Sequence, residues 1–201
     1  MEIPITLQAD DLVLEGRMER QSSDKAVIVT HPHPQYGGDM DNSVVMYAAK
    51  AYLRAGWSTL RFNFRGTGRS TGQFDEGEGE QHDLQAAIDF LAHDGYAHID
   101  LVGYSFGAVV IAGWSAGHPE HTHRLVFLSP PVAFMAFPSE KPPHGLHRII
   151  TGSADELAPA ETISALLDQW RLPHRLVILQ GADHSYFGYE TVLERALSEL
   201  I

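Results

Sequence analysis

A serine with glycine two residues away on either side, Gly103-Tyr104-Ser105-Phe106-Gly107, is the first feature of this sequence with chemical meaning. It follows the apolar run His98–Val102 and precedes a segment of helical spacing, Phe106–Gly117. A serine on a sharp strand-to-helix turn stands clear of the sheet, and flanking glycines let the strained turn form without clashes. The amino end of the following helix favours negative charge developing beside it. The chemistry this suggests is nucleophilic attack by Ser105.

A hydroxyl is a weak nucleophile without a base. In a strand-turn-helix setting of this kind the partners follow in the order serine, acid, histidine. His184, in Gln180-Gly181-Ala182-Asp183-His184-Ser185, follows the last apolar run and is the candidate base. Asp155, in Gly152-Ser153-Ala154-Asp155-Glu156, follows the run before it and is the candidate acid. Both lie past the carboxyl ends of predicted parallel strands, where open α/β sheets place their sites. Glu156 and Asp183 are the rivals of Asp155, and His174 is the rival of His184, at the wrong end of its strand.

An attacked carbonyl also needs donors for its oxyanion. One is the backbone N–H of Phe106. The other is expected from His31-Pro32-His33-Pro34-Gln35-Tyr36-Gly37-Gly38. Proline has no N–H, so His33 is the only donor between Pro32 and Pro34, with Gln35 and Tyr36 as alternatives. His31-x-His33 also has the spacing of a chelating pair on an extended strand, but only Asp39 and Asp41 stand near as third ligands, so no metal is assigned. The loop Asn63-Phe64-Arg65-Gly66-Thr67-Gly68-Arg69-Ser70 lacks the Gly-Lys-Ser ending of a nucleotide-binding loop. It is taken as a structural turn, the alternative being contact of Arg65 or Arg69 with an acidic substrate group.

The elements that must position these residues alternate between short β-rich runs and longer helical segments, which predicts a mostly parallel sheet with helices on both faces. Strands are expected at residues 3–8 and 12–19, joined as a hairpin by Asp10-Asp11, and at 26–30, 58–64, 99–102, 125–128, 148–151 and 175–179. Helices are expected at 44–55, 78–92, 106–117, 160–170 and about 189–200. The acidic run Asp75–Glu80 is taken as a solvated loop leading into a helix. No repeat appears, and 201 residues suit one domain spanning 1–201.

The bulk composition excludes several function classes. There is no cysteine, hence no disulfide, thiolate metal site or cysteine nucleophile. The net charge of −12 argues against a nucleic-acid partner or an anionic membrane surface. No apolar run approaches the roughly 20 residues of a membrane span. The first residues show no basic-then-apolar signal pattern, so the expected compartment is the cytoplasm.

Taken in order, these motifs resemble the α/β-hydrolase superfamily, in its small lid-less bacterial group near the dienelactone hydrolases and carboxylesterases. The residues that carry the resemblance are His31-Pro32-His33-Pro34, Gly37-Gly38-Asp39-Met40-Asp41-Asn42, Arg61-Phe62-Asn63-Phe64-Arg65-Gly66, the serine motif, Gly152 with Asp155, and Asp183-His184, from about residue 26 to the end. The resemblance implies an α/β-hydrolase fold with an eight-stranded, mostly parallel sheet and an antiparallel N-terminal edge. It also implies the triad Ser105, Asp155 and His184, and no cofactor. Two departures stand out: many members have His-Gly where this chain has His31-Pro32, and dienelactone hydrolases proper use a cysteine nucleophile.

Only about 18 residues separate Ser129 from the next predicted strand, too few for a cap domain. The apolar stretch Pro130–Pro138 falls there, so Phe134 and Phe137, with Tyr36 and Tyr186, are the expected substrate contacts of an open site. The reading is a serine hydrolase acting on small or medium acyl esters, as a monomer or homodimer. Thioesterase and peptidase activity share the same chemistry, and the alternative of another class is a non-catalytic binding domain of this fold.

Overall fold

The computed structural model describes residues 1–138 and 140–201. Its strands are β1 (Ile3–Ala9), β2 (Leu12–Glu19), β3 (Lys25–Thr30), β4 (Ser58–Phe62), β5 (His98–Tyr104), β6 (Arg124–Leu128), β7 (Leu146–Gly152) and β8 (Leu176–Leu179). They form one sheet in the order β1-β2-β4-β3-β5-β6-β7-β8. The β1–β2 hairpin runs antiparallel and joins β4 antiparallel, while β4, β3 and β5 to β8 are parallel.

A parallel sheet must be covered on both faces, so its strands carry apolar side chains in both directions. Ile28, Leu101, Leu125 and Phe127 point into one core, with α2 (Gly79–His93), α3 (Phe106–Gly117) and α4 (Ala160–Gln169). Their neighbours Val27, Val29, Val102, Val126 and Leu128 point into the other, with α1 (Ser43–Arg54) and α5 (Glu190–Ser198). Helix spacing does the matching: Leu84, Ala87, Ile88 and Leu91 make one stripe along α2. The side chain of Asn42 caps α1 by accepting from Val44 N–H at 2.9 Å.

Two expectations need correction. The strand expected to reach Phe64 ends at Phe62, because the next two residues turn to other partners. Asn63 Oδ1 accepts from Met40 N–H at 2.7 Å, and Phe64 N–H donates to His31 Nε2 at 3.0 Å. The acidic run is solvated only in part. Asp75, Glu76 and Glu78 are exposed, but Glu80 is fully buried and accepts from the amides of Asp75 (2.9 Å) and Gly77 (2.8 Å). Those bonds satisfy donors that the loop would otherwise bury unpaired.

Arg65 and Asp83 fasten the glycine-rich loop to α2. The buried Asp83 carboxylate accepts from Arg65 N–H, Nη2 and Nε at 2.8, 2.8 and 3.1 Å. This answers the question of Arg65: its charge is spent inside the protein. Arg65→Ala or Asp83→Ala strands one buried charge and is expected to lower stability by about 3–5 kcal/mol. The combined Arg65→Met, Asp83→Leu protein is expected to recover most of that loss. Urea unfolding midpoints test this, and single variants within about 1 kcal/mol of wild type would refute it.

Candidate active site

The turn from β5 into α3 holds Ser105 at φ 53°, ψ −116°, a conformation that side chains rarely adopt. The turn is braced where it bends. Ser105 N–H donates to Leu128 O on the adjacent strand, and Ala108 N–H donates to Ser105 O, both at 2.9 Å. Both glycines of the motif are required by close approach. A Cβ at Gly103 would lie 2.6 Å from the backbone of Ala108, and one at Gly107 would lie 2.4 Å from Thr30 Oγ1.

Three loops from the carboxyl end of the sheet bring the predicted triad side chains together. His184 Nε2 lies 2.9 Å from Ser105 Oγ. His184 Nδ1 lies 2.9 and 3.0 Å from the two carboxylate oxygens of Asp155. The Asp155 side chain is fully buried, and its Oδ1 also accepts from the amides of Leu157 (3.0 Å) and Ala158 (2.8 Å). Burial alone would raise the pKa of this carboxyl. Hydrogen bonds from His184 and from the Ser129 hydroxyl, with the His184 charge and the Ala158 amide, outweigh burial and hold it below the usual carboxylate range. Asp155 is therefore ionised near neutrality and suited to orient the imidazole.

The rivals lie elsewhere. Asp183 Oδ1 is taken up by the Ser185 amide (3.0 Å) and hydroxyl (2.7 Å), which shapes the turn before Tyr186. Glu156 is exposed, and His174 sits exposed in the short turn Pro173–Arg175 at the opposite end of β8. A contact that sequence reasoning missed is Tyr104, whose hydroxyl donates to His184 O at 2.9 Å and whose ring lies 5.6 Å from the imidazole. Its place beside the nucleophile in the motif was the available signal.

In the oxyanion loop, backbone bonding sorts the candidates. Gln35 N–H donates to His33 Nδ1 at 3.3 Å, and Tyr36 N–H and Gly38 N–H donate to His33 O at 3.1 and 3.0 Å. Gly37 N–H donates to Pro34 O at 3.1 Å. The loop spends these four amides on its own turn, and the amide of His33 has no protein acceptor among the described residues. Phe106 is the first residue of α3, so its N–H has no intrahelical partner. The His33 ring is packed about 5 Å from those of Tyr36, Phe74 and Phe106, and partial desolvation there lowers its basicity.

His31 does not face outward with His33 as a chelating pair would. It is fully buried, Nδ1 is 2.6 Å from Pro32 O, and Nε2 accepts from Phe64 N–H. Burial pushes its pKa down to about 4, so it is neutral and ties the oxyanion loop to the end of β4.

Ser105 and His184 open onto a cleft of about 410 Å³. Tyr36, Asn42, Pro131, Phe134, Met135 and Leu157 line it, so two of the four expected substrate contacts are in place. Tyr36 and Phe134, both largely exposed, meet edge-on at 6.2 Å across its rim. The other two expected contacts are not in the cleft. Phe137 turns inward against Phe127 at 5.7 Å, because the stretch after Pro131 folds back onto the core. Tyr186 is 1% exposed, with its hydroxyl held by Ser129 and Ile150 behind Asp155. Met135 and Leu157 take their place; both lie within a few residues of positions already singled out, but periodicity could not assign them to a wall. No helix among the described residues is long and apolar enough to cross a membrane.

Comparison with known proteins agrees with this fold. A family profile described as alpha/beta hydrolase fold matches residues 33–148. An uncharacterized protein from Rickettsia prowazekii is 37% identical over 192 residues, covering 89% of this chain and 79% of its own. An alpha-beta serine hydrolase homologue from Coxiella burnetii aligns with a TM-score of 0.88 at 33% identity, over 98% of this chain and 96% of its own. A Xanthomonas campestris protein described as an a/b serine hydrolase without lid aligns with a TM-score of 0.87 at 30% identity, over 98% and 92%.

Proposed function

The chain belongs to the α/β-hydrolase family, and from that premise we propose that it is a serine hydrolase forming an acyl-enzyme, with carboxylic esters of small or medium acyl groups as substrates. The observation that carries this reading is the unbroken hydrogen-bond chain from Asp155 through His184 to Ser105 at the floor of an apolar cleft.

In this mechanism His184 Nε2 removes the proton as Ser105 Oγ attacks the ester carbonyl. Asp155 keeps the proton of His184 on Nδ1 and stabilises the imidazolium that forms. The N–H groups of Phe106 and His33 receive the developing oxyanion, and losing one such donor costs about 10²–10³ in turnover. The imidazolium then protonates the leaving alkoxide, and the alcohol departs. Water, deprotonated by His184, repeats the attack on the acyl-enzyme and releases the acid. No cofactor takes part. Among the described residues the cleft carries no lysine or arginine, which favours uncharged acyl groups. Its size accommodates a short or medium chain between Phe134, Met135 and Leu157.

A fluorophosphonate probe followed by intact mass tests the reading. One adduct on the wild type, absent from Ser105→Ala, is the expected result. A panel of nitrophenyl esters and acyl thioesters of rising chain length then assigns the bond, with short to medium esters expected to turn over fastest. Faster turnover of thioesters, or of peptide substrates, would move the assignment within the same chemistry. A folded wild type that takes up no probe would make the protein a binding domain instead.

A further inference from the structure

The end of the sheet opposite the candidate active site carries a second cleft. Its volume is about 520 Å³, against 410 Å³ for the first, and it lies where the chain enters β6, β7 and β8. The entry to β6 supplies His123 and Arg124, the entry to β7 supplies His144 and His147, and the turn Pro173–Arg175 before β8 supplies Arg175. The chain has 26 acidic residues against 14 lysines and arginines. Among the described residues, none of those acids lines this cleft.

The positive charge here lacks a counter-charge. Arg124 is already paired: its Nε donates to Asp100 Oδ2 at 2.9 Å, and the same oxygen accepts from the Tyr52 hydroxyl at 2.8 Å. Arg175 has no carboxylate partner among the described residues, and its Nε is covered from water without an acceptor. A cation partly withdrawn from water with nothing to balance it is costly. The histidines feel the same field. Burial, and then the charges of Arg124 and Arg148, push the pKa of His147 down. Behind the wall lies His121, 8% exposed, with its ring 5.6 and 5.0 Å from those of His123 and His144. Its Nδ1 accepts from His123 N–H at 3.1 Å, so its own proton sits on Nε2, where no acceptor meets it. Donors outnumber acceptors at this end of the fold.

We propose that this second cleft binds a small organic phosphate, a doubly charged head on an apolar body, with Arg175 as the main counter-charge. Three chain entries deliver donors from three directions. A phosphate presents three oxygens in three directions, whereas a carboxylate offers two in one plane. Pro142, Leu146 and Leu172 complete the wall and suit an apolar body. The net charge of −12 does not forbid an anion here, because charges beyond about 8 Å are screened at physiological salt. The bound ligand would sit a strand's length from the triad, roughly 23 Å for the seven residues of β7. Binding therefore asks nothing of Ser105.

Calorimetric titration of the full chain with phenyl phosphate, inorganic phosphate and benzoate tests this. One equivalent of phenyl phosphate is expected to bind with a Kd of about 0.1–1 mM. Inorganic phosphate lacks the apolar body and benzoate the second charge, so each is expected to bind roughly tenfold more weakly. Arg175→Gln is expected to weaken phenyl phosphate by at least ~tenfold. Arg175→Lys is expected to fall between, since an ammonium keeps the charge but not the paired N–H groups. Arg171→Gln removes an exposed charge at the same end of the fold but outside the cleft, and is expected to stay within about twofold. Ser105→Ala is expected to bind as the wild type does, which separates this cleft from the catalytic one. Equal affinity for phenyl phosphate and inorganic phosphate would strike the organic body and leave a site for free phosphate. No saturation up to about 10 mM, an Arg175→Gln protein that binds like the wild type, or a Kd shifted by Ser105→Ala would overturn the proposal.

Discussion

Ester turnover is expected to fall by at least ~10⁴-fold in Ser105→Ala and in His184→Ala, with the double variant no slower than either alone. The two side chains act as one unit across a 2.9 Å hydrogen bond, so removing either removes the attack. Asp155→Asn is expected to cost a comparable ~10⁴-fold for a different reason. Asparagine oxygen can still accept from the Leu157 and Ala158 amides, which turns its NH₂ toward His184 Nδ1. The imidazole must then place its proton on Nε2, facing Ser105, where a base is needed. Glu156→Gln and Asp183→Asn are expected to stay within a few-fold of wild type, because neither carboxylate reaches the imidazole. Steady-state rates on one ester, with circular dichroism to certify folding, decide the matter. An active Asp155→Asn beside an inactive Asp183→Asn would reassign the acid.

Stability is expected to fall as the pH is lowered from about 6.5 toward 4, with the fully buried His31 among the causes. Its folded-state pKa is lowered to about 4 by burial, against 6.5 in the unfolded chain. Between those values the unfolded state binds the proton and the native state does not, so acid favours unfolding. The difference amounts to something on the order of 3 kcal/mol once the pH reaches the lower value. Burial also lowers His121, His123 and His147, which adds to the loss in the same direction. Asp155 is also lowered in the folded state, so acid costs stability there too, but its contribution is lost only as the pH falls through the ordinary carboxylate range and below. Urea midpoints at pH 7 and pH 5 test this. His31→Gln, which keeps an acceptor for Phe64 N–H, is expected to flatten the profile; an equally steep profile in that variant would acquit His31.

The architecture was legible because parallel strands buried on both faces must be continuously apolar, and the helices between them must be amphipathic. Strands such as Ala26–Thr30 and Leu125–Leu128 therefore announced themselves. The residues that define the triad geometry were legible for a related reason. The order serine, acid, histidine and a location past strand ends are properties of the chain, not of its folding in detail. The interior of the site was less legible. Phe137 looked like a substrate contact because it lies in the apolar stretch Pro130–Pro138, and Tyr186 because it stands near His184. Which way a side chain turns, however, depends on backbone angles that composition does not encode: Tyr186 sits at φ 55° and points inward. Glu80 was hidden similarly, since a carboxylate in an acidic run gives no sign that nearby amides will bury it.

The left-handed serine at the head of α3 sets durability against use. At 105 the backbone is held where glycine would be more at ease, yet the chain keeps a side chain there. A lineage judged only on surviving heat would exchange such residues for ones that suit their backbone, and would grow sturdier as its chemistry faded. The protein's resting strain is in this sense a record of what it has been selected to do.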